Sequence, residues 1–146
     1  MIMTDEAIFG GSMMEMKEQY KSGVVLRNRI ATALMILAIL AALYAAVTAV
    51  GVALSTGPDT KQVEWWRAVG FMMFTGVFIL LALNPRKYPG LWELTIVNKL
   101  LLTVIEVSLI TENAANAQFS AMADGVLTVI LVVAYVLSQG YRSWKR

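Results

Sequence analysis

Four apolar runs, each long enough to cross a bilayer, constrain this chain more than any other feature. A hydrocarbon core about 30 Å thick takes roughly 20 helical residues at 1.5 Å per residue. Runs of that length occupy 30–54, 65–83, 91–110 and 121–138. Each is closed by turn-forming or polar sequence: STGPD follows the first, NPRKYPG separates the second and third, and TENAANAQ precedes the fourth. The chain's three prolines all fall in these breaks, where a missing backbone N–H ends the helical ladder. Short connections between spans imply an all-α fold of four transmembrane helices in an antiparallel up-down bundle. The expected organisation is an N-terminal segment, 1–29, followed by one transmembrane domain, 30–146. The stretch MMEMKEQYK within that segment reads either as a short interfacial helix or as a disordered tail. The first run is too long, and too far from the N-terminus, for a signal peptide, so a retained helix is expected.

Composition agrees. Apolar residues make up 58% of the 146-residue chain and charged residues 15%, against about 45–50% and about 25% in soluble domains. Mean hydropathy is +0.66. The formal charge is only +2, and the basic residues sit at helix ends, so no nucleic-acid surface is expected. Lys17, Lys21, Arg27, Arg29, Arg86, Lys87, Arg142, Lys145 and Arg146 fall on one side of the expected bundle, and Lys61 and Arg67 on the other. By the positive-inside rule both termini are then cytoplasmic. Trp65, Trp66, Trp92 and Trp144 all fall near the expected interfaces, as belt aromatics do.

Two absences exclude much chemistry. With no cysteine there is no thiolate nucleophile, disulfide or Cys-ligated metal. With no histidine the chain lacks the commonest transition-metal ligand and the usual general base near neutral pH. No phosphate-binding glycine loop, nucleophile elbow or acidic metal motif is present. No catalytic residue, cofactor or metal is therefore expected, and the chain reads as non-enzymatic.

The third run, LWELTIVNKLLLTVIEVSLI, places charge where charge is most expensive. Trp92, Lys99, Glu106 and Asn113 recur every seven residues, which at 100° per residue returns to within about 20° of one helix face. Thr95 and Thr103 lie on that face too. Antiparallel topology sets Asp124 of the fourth run at the depth of Glu106, and Arg67 opens the second run at the same surface. Tyr44 and Thr48 occupy the corresponding half of the first run, while Thr128 and Tyr135 continue the stripe of Asp124. Lys99, Glu106, Asp124, Arg67 and Tyr44 thus form the candidate ligand-binding cluster, in the outer half of the bundle. Four of them have a structural alternative of their own: a lysine locked to a carboxylate or to helix carbonyls, an aspartate at a helix start, an arginine snorkelling to the interface, a tyrosine packing between helices.

Three functions fit this cluster. The first is binding of a small ligand, lipid headgroup or ion, the second an accessory or scaffold subunit with a structural charge cluster, and the third a proton-coupled small transporter. The first run also carries rows of small residues, Ala41, Ala45, Ala49 and Ala53 beside Ala38, Ala42 and Ala46. Such rows let helix backbones approach closely, either within the chain or across a homodimer or partner-subunit seam on the Ala41/Ala45/Ala49 face. In outline the chain is similar to the small multidrug-resistance exporters, four-helix proteins with an essential membrane glutamate. That resemblance would imply drug–proton exchange, but their glutamate lies in the first membrane helix, whereas here the first apolar run, 30–54, has no acid and the glutamate is in the third. The chain is similar in topology to four-helix DoxX-like membrane proteins. Neither resemblance rests on a motif.

Overall fold

The computed structural model describes residues 5–145, with side-chain surroundings from Glu15 onward. Residues 1–4 and Arg146 lie outside that range. The helices are α1, Asp5–Ser55; α2, Pro58–Leu83; α3, Leu91–Thr111; and α4, Ala117–Ser138, followed by a 3-10 turn at Gly140–Lys145. All four helices are long and apolar enough to cross a membrane, and no strand occurs among the described residues.

Local chemistry sets the ends. Thr56 N–H donates to the Val52 carbonyl, and Pro58 then starts α2 at a position where its missing N–H costs nothing. This is why α2 begins at Pro58 rather than at Trp65. In the α3–α4 loop Asn113 and Asn116 adopt left-handed φ values of 54° and 64°, a conformation asparagine tolerates better than most residues. The turn they make lets α4 start at Ala117 rather than Ala121. Helix α1 runs without a break through residues 29 and 30. At 1.5 Å per residue its 51 residues extend about 75 Å, so roughly half of it continues past its apolar run.

The helices pack in the spatial order α2, α1, α4, α3. Short loops would make α2 and α3 neighbours, yet their backbones are not in comparable contact, and α1 with α4 forms the central pair instead. The reason lies in the face of α1. Ala31, Met35, Ala38, Ala42, Ala46, Ala49 and Ala53 are all buried, at steps of three and four residues. A side nearly free of large side chains admits a helix on either flank. Ala41, by contrast, is exposed and Ala45 half-buried. The expected Ala41/Ala45/Ala49 face is therefore split, with Ala49 turned inside the chain.

The tight core gathers Met35, Ala38, Ala42, Phe78, Leu81, Trp92, Leu131 and Ala134. All belong to the half of the bundle nearest the α2–α3 loop, hereafter the basic end because Arg86, Lys87, Arg142 and Lys145 lie there. Trp92 is 1% exposed. It is a core residue rather than a belt aromatic, unlike Trp66 and Trp144, which are exposed. Leucines, valines and isoleucines such as Leu37, Val47, Leu101 and Val129 face outward along the spans, where acyl chains rather than water suit them.

Candidate functional site

Lys99 sits in the middle of α3 and is 3% exposed. Its Nζ donates to Oδ1 of Asp124 at 2.6 Å and lies 4.9 Å from the centre of the Phe74 ring on α2. The charge is thus met by a carboxylate on one side and an aromatic face on another, two recognised ways of holding a buried cation. Gly125 packs beside Thr103 at this seam, where a Cβ would meet the threonine methyl at 3.6 Å, an ordinary packing distance. Asp124 is two turns into α4, so it is a helix-interior acid with a partner and not a helix-start residue.

Neighbouring hydroxyls are already committed. Thr103 donates to the Lys99 carbonyl and Thr128 to the Asp124 carbonyl, both at 2.8 Å. Thr95 donates to the Leu91 carbonyl at 2.6 Å. Such back-bonding satisfies the hydroxyl on its own helix and leaves no donor aimed at a third group.

Glu106 lies next on the same stripe of α3 and is half-buried. It lies seven residues beyond Lys99, about 10 Å further along the helix axis, and forms no ion pair with Lys99, which is bound to Asp124. Its Oε2 is buried without a hydrogen-bond partner, as is Oδ1 of Asn98. The remaining two candidates sit elsewhere. Arg67 pairs with Glu64 one turn away on α2, and Tyr44 is 73% exposed on α1. The structure therefore joins Lys99 to Asp124, sets Glu106 on the same stripe of α3, and leaves Arg67 and Tyr44 apart.

A second polar cluster, at the basic end, escapes sequence reasoning. Oε1 of Glu93 accepts from the Tyr135 hydroxyl at 2.6 Å and from Nε1 of Trp144 at 3.0 Å. Trp92 stacks obliquely on Tyr135 and donates its Nε1 to the Pro85 carbonyl at 2.8 Å. Gly140 lies under both rings, and a Cβ there would come within 2.6 Å of Tyr135 and 2.8 Å of Trp92. These contacts tie the start of α3 to the end of α4. No spacing rule relates residues 42 and 51 positions apart, and the one available signal, an acid in the first turn of α3, reads as a favourable helix-dipole charge.

Two clefts lie at the ends of the bundle. One, of about 410 Å³, opens at the basic end and includes Asn28, Thr32, Arg86 and Lys87. The other, of about 470 Å³, lies on the α3–α4 loop. Neither is lined by Lys99, Asp124 or Glu106. Among the described residues no group of three acids gathers as a metal site. Fold and site define a multi-pass helical membrane protein with an ion pair inside its bundle. No protein-family model, curated protein or solved structure matches the chain.

Proposed function

We propose that the chain is a non-enzymatic multi-pass membrane protein that takes up a small cation, the proton included, at Glu106. One observation supports this above the others: the buried Oε2 of Glu106 has no partner, while the nearest cation, Lys99, is already bound to Asp124. Lys99, Asp124 and Glu106 together carry one positive and two negative formal charges. Arg67, the other cation of the candidate cluster, is engaged by Glu64. An unbalanced charge within a membrane is costly, and a counter-ion removes that cost. The test is thermal unfolding of the protein in phosphatidylcholine nanodiscs, with sodium, potassium or methylammonium chloride titrated against choline chloride. At least one of the three cations should raise the unfolding temperature of the wild type, acid should compete with it, and Glu106→Gln should abolish the response. No response to any cation or to acid would sink the reading.

A second reading, an accessory or scaffold subunit with a structural charge cluster, is favoured by the closure of the Lys99–Asp124 pair, with side chains 4% and 13% exposed. It expects Glu106→Gln to leave cation dependence and stability unchanged. Proton-coupled transport would require, beyond binding, that Glu106→Gln abolish flux driven by a pH gradient in proteoliposomes.

A further inference from the structure

The cleft at the basic end is unrelated to the Lys99 cluster, and its walls change character along the bundle axis. Towards the end of the bundle it is lined by Asn28, Arg86 and Lys87, and towards the hydrocarbon by Ala82 and Leu83, over the buried Met35, Leu81 and Trp92. No acidic residue lines it. Asn28 lies two residues before the apolar run of α1, and Leu83 ends α2, so the cleft straddles the level at which a bilayer passes from headgroup to hydrocarbon. From Asn28 to Met35 is about 10 Å along the helix, comparable with the depth of that transition.

Its cations are uncommitted. Arg86 is held in place by one bond, Nε to the Ser138 carbonyl at 2.8 Å, which leaves both terminal nitrogens of the guanidinium. Lys87 is exposed, with its ammonium 5.5 Å over the Tyr88 ring. Among the described residues neither has a carboxylate partner. A planar guanidinium fixed at its Nε and a mobile ammonium beside it suit phosphate oxygens. The apolar floor suits the ester end of an acyl chain, which a free anion does not possess.

We propose that this cleft is a headgroup site for an anionic phospholipid, with Arg86 and Lys87 on the phosphodiester and Ala82 and Leu83 against the first acyl carbons. It stands on different residues from the cation reading of Glu106, and either can fail without the other.

The probe is dioleoyl-phosphatidylglycerol, compared with dioleoyl-phosphatidylcholine, added to the full chain in maltoside detergent. Native mass spectrometry counts retained lipid, and unfolding temperature gives a second readout. Phosphatidylglycerol should be retained at least fivefold over phosphatidylcholine. Lys87→Gln should lower its affinity about fivefold, as expected for one cation at a membrane surface, and leave phosphatidylcholine unaffected. Arg86→Gln should lower it further. Because that change also frees the Ser138 carbonyl, the exposed Lys87 position decides the outcome if Arg86→Gln does not fold. Lys145→Gln, at the same end but outside the cleft, should have no effect. Equal retention of the two lipids would overturn the proposal. So would equal losses in Lys87→Gln and Lys145→Gln, which would mean diffuse attraction, or displacement of the lipid by millimolar inorganic phosphate, which would mean a soluble-anion site.

Discussion

Nζ of Lys99 lies 2.6 Å from Oδ1 of Asp124, across the seam between α3 and α4, with both side chains nearly out of contact with the surroundings of the bundle. The pair joins the centre of one helix to the second turn of the next. Removing either half leaves an uncompensated charge in a low-dielectric interior, whereas removing both leaves only a packing change.

Lys99→Met and Asp124→Leu should each destabilise the protein by about 3–5 kcal/mol, and the double variant should recover most of that loss. Reversible unfolding in mixed micelles, analysed as a double-mutant cycle, measures the coupling. Additive single and double losses would show that the pair does not act as a unit.

Arg67→Gln provides the contrast. Its partner Glu64 is one helical turn away and the arginine side chain is 49% exposed, so the pair is expected to contribute no more than about 1 kcal/mol. A loss approaching that of Lys99→Met would mean that Arg67 belongs to the buried cluster after all.

Tyr135→Phe removes one of the two donors on Oε1 of Glu93. A hydrogen bond to a charged group contributes about 1.5–3 kcal/mol, and a loss of that size is expected. Because Trp144 shares the same oxygen, its fluorescence should shift in the variant. An unchanged spectrum together with unchanged stability would remove the Glu93 cluster as a clasp between α3 and α4.

Two glycines should respond in opposite directions to alanine. At Gly140 the new Cβ would collide with the Trp92 and Tyr135 rings, and overpacking of that kind costs about 1–3 kcal/mol. At Gly76 nothing lies within 4 Å, so the higher helix propensity of alanine should be neutral or stabilising by up to about 1 kcal/mol. Melting curves of the two variants in one detergent give the comparison.

Topology remains a prediction from charge. Reporter fusions at the C-terminus and in the Asn84–Gly90 connection should report the cytoplasm, and a fusion near Gly57 the opposite side. Agreement between the Gly57 fusion and the other two would contradict the four-span arrangement in the membrane.

The sequence alone determined what depends on neighbours along the chain. Apolar length gave four helices, and prolines with turn residues gave their breaks, with Leu83, Leu91 and Ser138 falling at helix ends as expected. The seven-residue recurrence of Trp92, Lys99, Glu106 and Asn113 marked a stripe that is fully buried at Trp92 and Lys99, partly at Glu106, and lost at Asn113, which is exposed beyond the end of α3. Tertiary structure decided which groups meet. That Lys99 takes Asp124, that Arg67 turns to Glu64, and that Glu93 gathers Tyr135 and Trp144 all depend on how each helix is rotated and which helices adjoin. Periodicity defines a face but not the neighbour it meets. The neighbour follows from shape: the alanine side of α1 accepts α2 and α4 together, places α3 against α4, and so fixes the partner of every charge inside the bundle.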